Sequence, residues 1–228
     1  MIERDAWLPR ALADIGADAA AGRFAAWGRS TVIDENTGTP VIDRALFDRL
    51  HEAAGLAAEF PVGNAGLLHV YGYWFSDEPT PYGFKRDRWV DGVLAGALGL
   101  PADAFHLGGE GTLLERVTAA IRPPLLDPPA DARGTADVRL AAAVGRVVLL
   151  GADATSTGSA EAADTAAPSL TALVYGIDSG EGFRLITAFP LVGDPREVLA
   201  EFVEQPRYRW NADDESKTSP TVHLDVDS

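Results

Sequence analysis

The chain has 228 residues, 46% of them apolar and 23% charged, with a net charge of −15 and no cysteine. That length holds a well-buried core in a single domain. The missing thiols exclude disulfides, iron–sulfur clusters, thiolate zinc sites and a cysteine nucleophile. The acidity opposes nucleic-acid binding, which draws on a basic patch, and it fits either simple solubility or a basic protein partner.

No run approaches the ~18 apolar residues of a membrane span. The opening MIERDAWLPR lacks the continuous apolar stretch of a signal peptide. A cytoplasmic location without membrane contact is the expectation.

In chain order, residues 5–27 read as one long or two short helices, with Leu8, Leu12, Ile15, Phe24 and Trp27 at helical spacing. A short extended piece follows at 31–34, then a polar turn at 35–38. Thr39-Pro40 predicts a helix start, and the helix is expected to run to Glu59, since Phe60 precedes Pro61. Residues 63–66 read as a turn.

Residues 67–75 predict a central strand, because both of its alternating faces are apolar or aromatic. A proline loop at 77–83 leads to a helix over 86–98, closed by Gly99. Gly108–Gly109–Glu110–Gly111 leads into a further helix, in which Thr112 and Glu115 form a capping box. Pro123 and Pro124 are expected to stop it.

Residues 138–150 leave open a strand followed by a second strand or a continuation, or a helix. Residues 151–168 are low in complexity and read as a mobile loop. Residues 169–177 and 183–191 predict strands joined by the hairpin turn Asp178-Ser179-Gly180-Glu181-Gly182. Asp194, Pro195 and Glu197 open a last helix. Tyr208–Trp210 suggests a short final strand, and 211–228 a disordered tail.

Strands and helices are segregated, without βαβ alternation. The expected fold is therefore α+β, an antiparallel sheet with helices packed mainly on one face, in one globular domain over 1–210.

The chemistry concentrates in residues 67–89, LLHVYGYWFSDEPTPYGFKRDRW. Tyr71, Tyr73, Tyr82, Arg86 and Arg88 combine flat walls with guanidinium forks, the material of a site for a small anionic or aromatic ligand. Lys85 is one of only two lysines, with Lys217. Desolvated among Tyr82, Phe84 and Trp89, it would be a neutral amine fit for base or Schiff-base chemistry. His69 is the candidate general acid or base. An enzyme acting on an amine or amino acid is the catalytic form of this reading.

His51, followed by Glu52, reads as a solvated helix residue. The glycines before Thr112 could present amides to an anion. No HExxH pair, calcium loop, nucleophile elbow, dinucleotide fingerprint or phosphate loop occurs, so no metal or cofactor is expected. The alternative function is a non-enzymatic acidic interaction protein, immunity- or antitoxin-like, whose carboxylates meet a basic protein.

Overall fold

In the computed structural model of the chain, residues 4–34, 36–76, 78–80, 83–140, 142–151, 171–191 and 194–204 are described. The expected mobile loop at 151–168, except its first residue, lies outside them, as do the possible strand at 208–210 and the tail at 211–228.

The first helical segment divides into α1 (Arg4–Ala20) and a 3-10 turn (Arg23–Ala26). Strand β1 (Arg29–Thr31) pairs antiparallel with β2 (Val62–Asn64). Between them lies α2 (Arg44–Ala54), which differs from the expectation at both ends. Asp43, not Thr39, caps it by accepting from the Leu46 amide at 2.7 Å. It stops at Gly55 rather than Glu59, because Gly55 turns left-handed with φ 63°. Leu46, Phe47, Leu50, His51 and Ala54 form its buried face.

The segment predicted as the central strand is helical instead. Residues 65–74 coil as one helix, and Leu67–Gly72 within it is wound as a π-helix. Asn64 starts it: its Oδ1 accepts from the amides of Gly66 and Leu67 at 3.0 and 3.3 Å. A helix that is apolar all round is a buried one, and every residue from Ala65 to Ser76 is buried. A short, wholly apolar run has no period with which to distinguish a buried helix from a buried strand.

Two very short strands, β3 (Pro79–Thr80) and β4 (Gly83–Phe84), form a hairpin. The helix expected over 86–98 is two pieces, α3 (Asp87–Val90) and α4 (Val93–Ala97), separated at Gly92. Only the Thr112 half of the predicted capping box forms, and the Glu115 carboxylate pairs with Arg23 instead. Thr112 Oγ1 accepts from the Glu115 amide at 3.1 Å and opens α5 (Leu113–Leu126). Pro123 and Pro124 do not stop that helix; it runs past them to Leu126.

The open segment at 138–150 resolves as a hairpin of β5 (Gly134–Arg139) and β6 (Val144–Gly151). Strands β7 (Thr171–Asp178) and β8 (Phe183–Leu191) complete an antiparallel sheet of order β5-β6-β7-β8. The predicted turn joins β7 to β8, and Asp178 Oδ1 accepts from the Gly180 and Gly182 amides at 2.7 and 2.9 Å. The last helix, α6 (Pro195–Glu204), opens with Asp194 Oδ1 accepting from the Arg196 amide at 2.9 Å.

The fold is α+β, as expected. One face of the sheet, with Val148, Val174, Leu185 and Ala188, joins a large core shared with α1, α2, the π-helix and α5. The other face, with Val147, Leu149, Leu173, Tyr175 and Ile186, packs against Phe202 of α6. Among the described residues no helix is long and apolar enough to cross a membrane.

Two details of β8 position the site. Its pairing with β7 jumps from Tyr175↔Thr187 to Gly176↔Leu185, leaving Ile186 as a bulge. The chain after the 3-10 turn also lies along it, with the Gly28 amide donating to the Leu185 carbonyl at 2.8 Å. Bulges re-aim neighbouring groups and recur beside functional sites.

Candidate functional site

The helix over 65–74 carries two of the predicted site residues four positions apart. The rings of His69 and Tyr73 stack at 4.7 Å with 17° between their planes. Both are buried, at 5% and 7% exposure. Short π segments are often associated with functional residues.

His69 Nε2 is 2.7 Å from the Ser30 hydroxyl of β1. Its Nδ1 is buried, and the backbone carbonyl that acts on the ring is that of Ile186. Burial holds the imidazole pKa well below its ordinary 6.5, and the neighbouring charges of Arg88 and Lys85 push the same way. The Ile186 carbonyl at the β8 bulge pulls weakly in the opposite direction. The ring is therefore neutral at physiological pH.

Two cations approach the Tyr73 ring from the segment beyond the proline loop. Arg88 Cζ lies 5.0 Å from its centroid and Lys85 Nζ 5.8 Å. Both distances are within cation–π range.

Lys85 reaches Asp34 at 2.6 Å, and that carboxylate is only 2% exposed. Asp34 Oδ1 also accepts from the Asn36 and Thr37 amides at 2.9 and 3.2 Å. Burial opposes the ionisation of Asp34, but the hydrogen bond and charge of Lys85 and the two amides outweigh it and lower the carboxyl pKa. An adjacent carboxylate favours the ammonium form. That is the opposite of the neutral amine that a Schiff base or lysine base requires.

Arg88 differs from Lys85. Its Nη1 donates to the Ala188 carbonyl of β8 at 3.1 Å. Its guanidinium lies 5.7 Å from the Phe189 centroid as well as facing Tyr73. Burial lowers its pKa, while the fields of Tyr73 and Asp34 oppose that shift. Arginine nonetheless remains a cation. Among the described residues no carboxylate forms an ion pair with it; Asp34 acts on it only through space.

The other predicted residues divide. Tyr71, on the same helix, points elsewhere and donates to Asp18 Oδ2 at 2.7 Å. Asp18 also accepts from Thr112 Oγ1 at 2.5 Å and pairs with Arg23 at 3.2 Å, and Arg23 holds Glu115 at 2.9 Å. Burial raises the Asp18 pKa, and burial beside that carboxylate raises the Tyr71 pKa. This second cluster joins α1, the π-helix and α5. Arg86 is 38% exposed and lies over Phe84 at 4.7 Å, beside Asp87. Tyr82 lies outside the described residues.

Two further expectations change. His51 is buried, not solvated: its Nδ1 donates to the Phe47 carbonyl at 2.8 Å and its Nε2 accepts from the Asn64 amide at 3.2 Å. Gly63 makes room for that ring, since a Cβ there would stand 2.2 Å from His51 Nε2. The glycine loop before Thr112 turns its carbonyls to a cation. Arg116 donates to Ala104, His106, Glu110 and Gly111. The Glu115 amide in the first turn of that helix is instead taken by the Thr112 hydroxyl.

Sequence reasoning missed Ser30 and Asp34. Asp34 carried a signal, an acidic residue before a polar turn; Ser30 carried none, since its partner is 39 positions away. Cavities of about 520 and 440 Å³ open elsewhere, one between α4, α5 and the end of β6, the other beside Arg23 and Glu115. Among the described residues no three histidine or acidic side chains gather as a metal site.

Comparisons with protein-family models, with curated proteins and with solved structures found no match to this chain.

Proposed function

We propose that the protein binds a small molecule with an anionic group, held beside the Tyr73 and Phe189 rings. The observation that carries this reading is Arg88. It is a cation fixed by two rings and one carbonyl, and among the described residues no carboxylate pairs with it. A guanidinium has five N–H donors in a planar fork suited to an anionic group. Lys85 borders the site as a charge already compensated by Asp34. His69 is a neutral ring held between the Ser30 hydroxyl and the Ile186 carbonyl.

A catalytic version of this reading, acting on an amine or amino acid, would give His69 the proton-transfer role. Lys85 would then serve as a positioning charge. The interaction-protein alternative draws support only from the net charge of −15.

Thermal-shift measurement against small organic anions tests the proposal, because a ligand bound to the native state alone raises apparent stability. Saturable stabilisation of the native protein is expected, with its loss in Arg88→Gln. Equal shifts in both proteins would remove Arg88 from the site and end this reading.

A further inference from the structure

The cleft of about 520 Å³ lies between α4, the last turn of α5, the loop that follows it and the end of β6. That volume is in the range of small-molecule sites. No residue of the Tyr73 cluster lines it. Leu98, Leu100, Pro123, Pro129 and Leu150 make its walls apolar, and Leu100 is 37% exposed there.

The polar groups of the cleft are acceptors. Among the described lining residues no side chain carries an N–H or O–H, and three prolines lack the backbone N–H as well. Asp127 and Asp131 are the ionisable side chains of that lining, and both are exposed. Neither carboxylate makes a hydrogen bond or ion pair among the described residues. Arg133 packs against Gly151 at the border, has an interaction of its own and pairs with neither aspartate.

The backbone adds to this bias. Ala120 lines the cleft, and the residues three and four positions on are Pro123 and Pro124. Neither has an N–H, so the Ala120 carbonyl has no helical donor. The same last turn, with Asp127 as its cap, is the C-terminal end of α5, where the helix dipole favours a cation.

An apolar hollow with acceptors, a helix C-terminus and two unpaired carboxylates suits a ligand that brings donors and a positive charge on an apolar body. We infer that this cleft binds a small organic ammonium ion, a protonated alkyl or aryl amine, independently of the anion site at Arg88.

Calorimetric titration of the full chain with phenethylammonium and hexylammonium tests this, with phenethyl alcohol as the neutral match. It is run at about pH 7.5, where the amines are protonated. Both ammonium ions should bind saturably, and the alcohol about fivefold more weakly, the scale of an exposed ion pair. Added salt should weaken the ammonium ions. Asp127→Asn and Asp131→Asn, both at exposed positions, should each weaken them by about two- to fivefold.

Amide chemical-shift mapping on the unmodified sequence needs no variant to fold. Phenethylammonium should move the amides of Ala97, Leu98, Asp131 and Leu150 and leave those of Arg88 and Phe189 in place. Equal binding by phenethyl alcohol, or unchanged affinity when both aspartates are replaced, assigns an apolar occupant and overturns the ammonium. Shifts at the same amides on raising protein concentration without a probe assign the cleft to a second copy and overturn it likewise. No saturable binding by either amine, or shifts confined to other parts of the chain, ends the assignment and leaves the anion reading untouched.

Discussion

His69 shows how one side chain acquires its properties from others far away in sequence. An imidazole left in water would take a proton near its ordinary 6.5, but here burial and the cations of Lys85 and Arg88 disfavour that proton. The unfolded chain therefore binds more protons than the native state once the pH drops below that value. Stability from this residue is complete above about 6.5 and is lost as pH falls through the window below it. Ser30, Tyr73, Lys85, Arg88 and the Ile186 carbonyl face the ring, and none of them adds a negative charge. The native protein should lose more melting temperature than His69→Gln between about pH 7.5 and about pH 5. Parallel pH profiles for the two proteins would show that His69 does not titrate in this way.

Tyr71 supports a separate residue-scale prediction. Its hydroxyl is one of three donors to buried Asp18. Tyr71→Phe keeps the ring and removes one donor, which should cost about 1–3 kcal/mol in denaturant unfolding. Ligand binding should be unaffected, because Tyr71 points away from the Tyr73 cluster.

At the scale of elements, legibility in the sequence followed local chemistry. The Thr112 cap, the Asp178 turn and the Asp194 cap each form as their residues predict, because the hydrogen bonds that define them are made within four positions. The helix over 65–74 was illegible for the converse reason. Its apolar side chains are covered on every side, so burial erased the periodicity that identifies a helix. One local signal was present: Asn64 is a favoured cap residue, and it stands three residues before Leu67. Asn64→Ala should cost about 1–2 kcal/mol, measured by chemical denaturation. A change of only a few tenths would show that packing alone holds the helix start.

The candidate site was legible in part. His69, Tyr73, Lys85 and Arg88 were recognisable by residue type and do meet. Asp34 and Ser30 reach them only through tertiary folding across the β1–β2 region. Arg86 and Tyr71 share the composition of the site without sharing its location, because helical geometry turns neighbours one or two positions apart in different directions.

At the scale of the molecule, one core runs from Ala11 and Ile15 in α1 through the π-helix and α5 to Val174 and Ala188 in the sheet. Helical and sheet regions therefore share their buried surface and should unfold together. Far-ultraviolet and near-ultraviolet circular dichroism should report coincident thermal transitions. Two separated transitions would mean that the helices and the sheet are stable apart.

Strand β8 ends the sheet, and its outward carbonyls are natural templates for a neighbouring polypeptide. Gly28 occupies the Leu185 carbonyl and Arg88 occupies that of Ala188. The side chain proposed to hold a ligand thus also covers a carbonyl at the edge of the sheet. Variants lacking Arg88 should carry a second phenotype unrelated to any ligand, a greater tendency to aggregate when warmed.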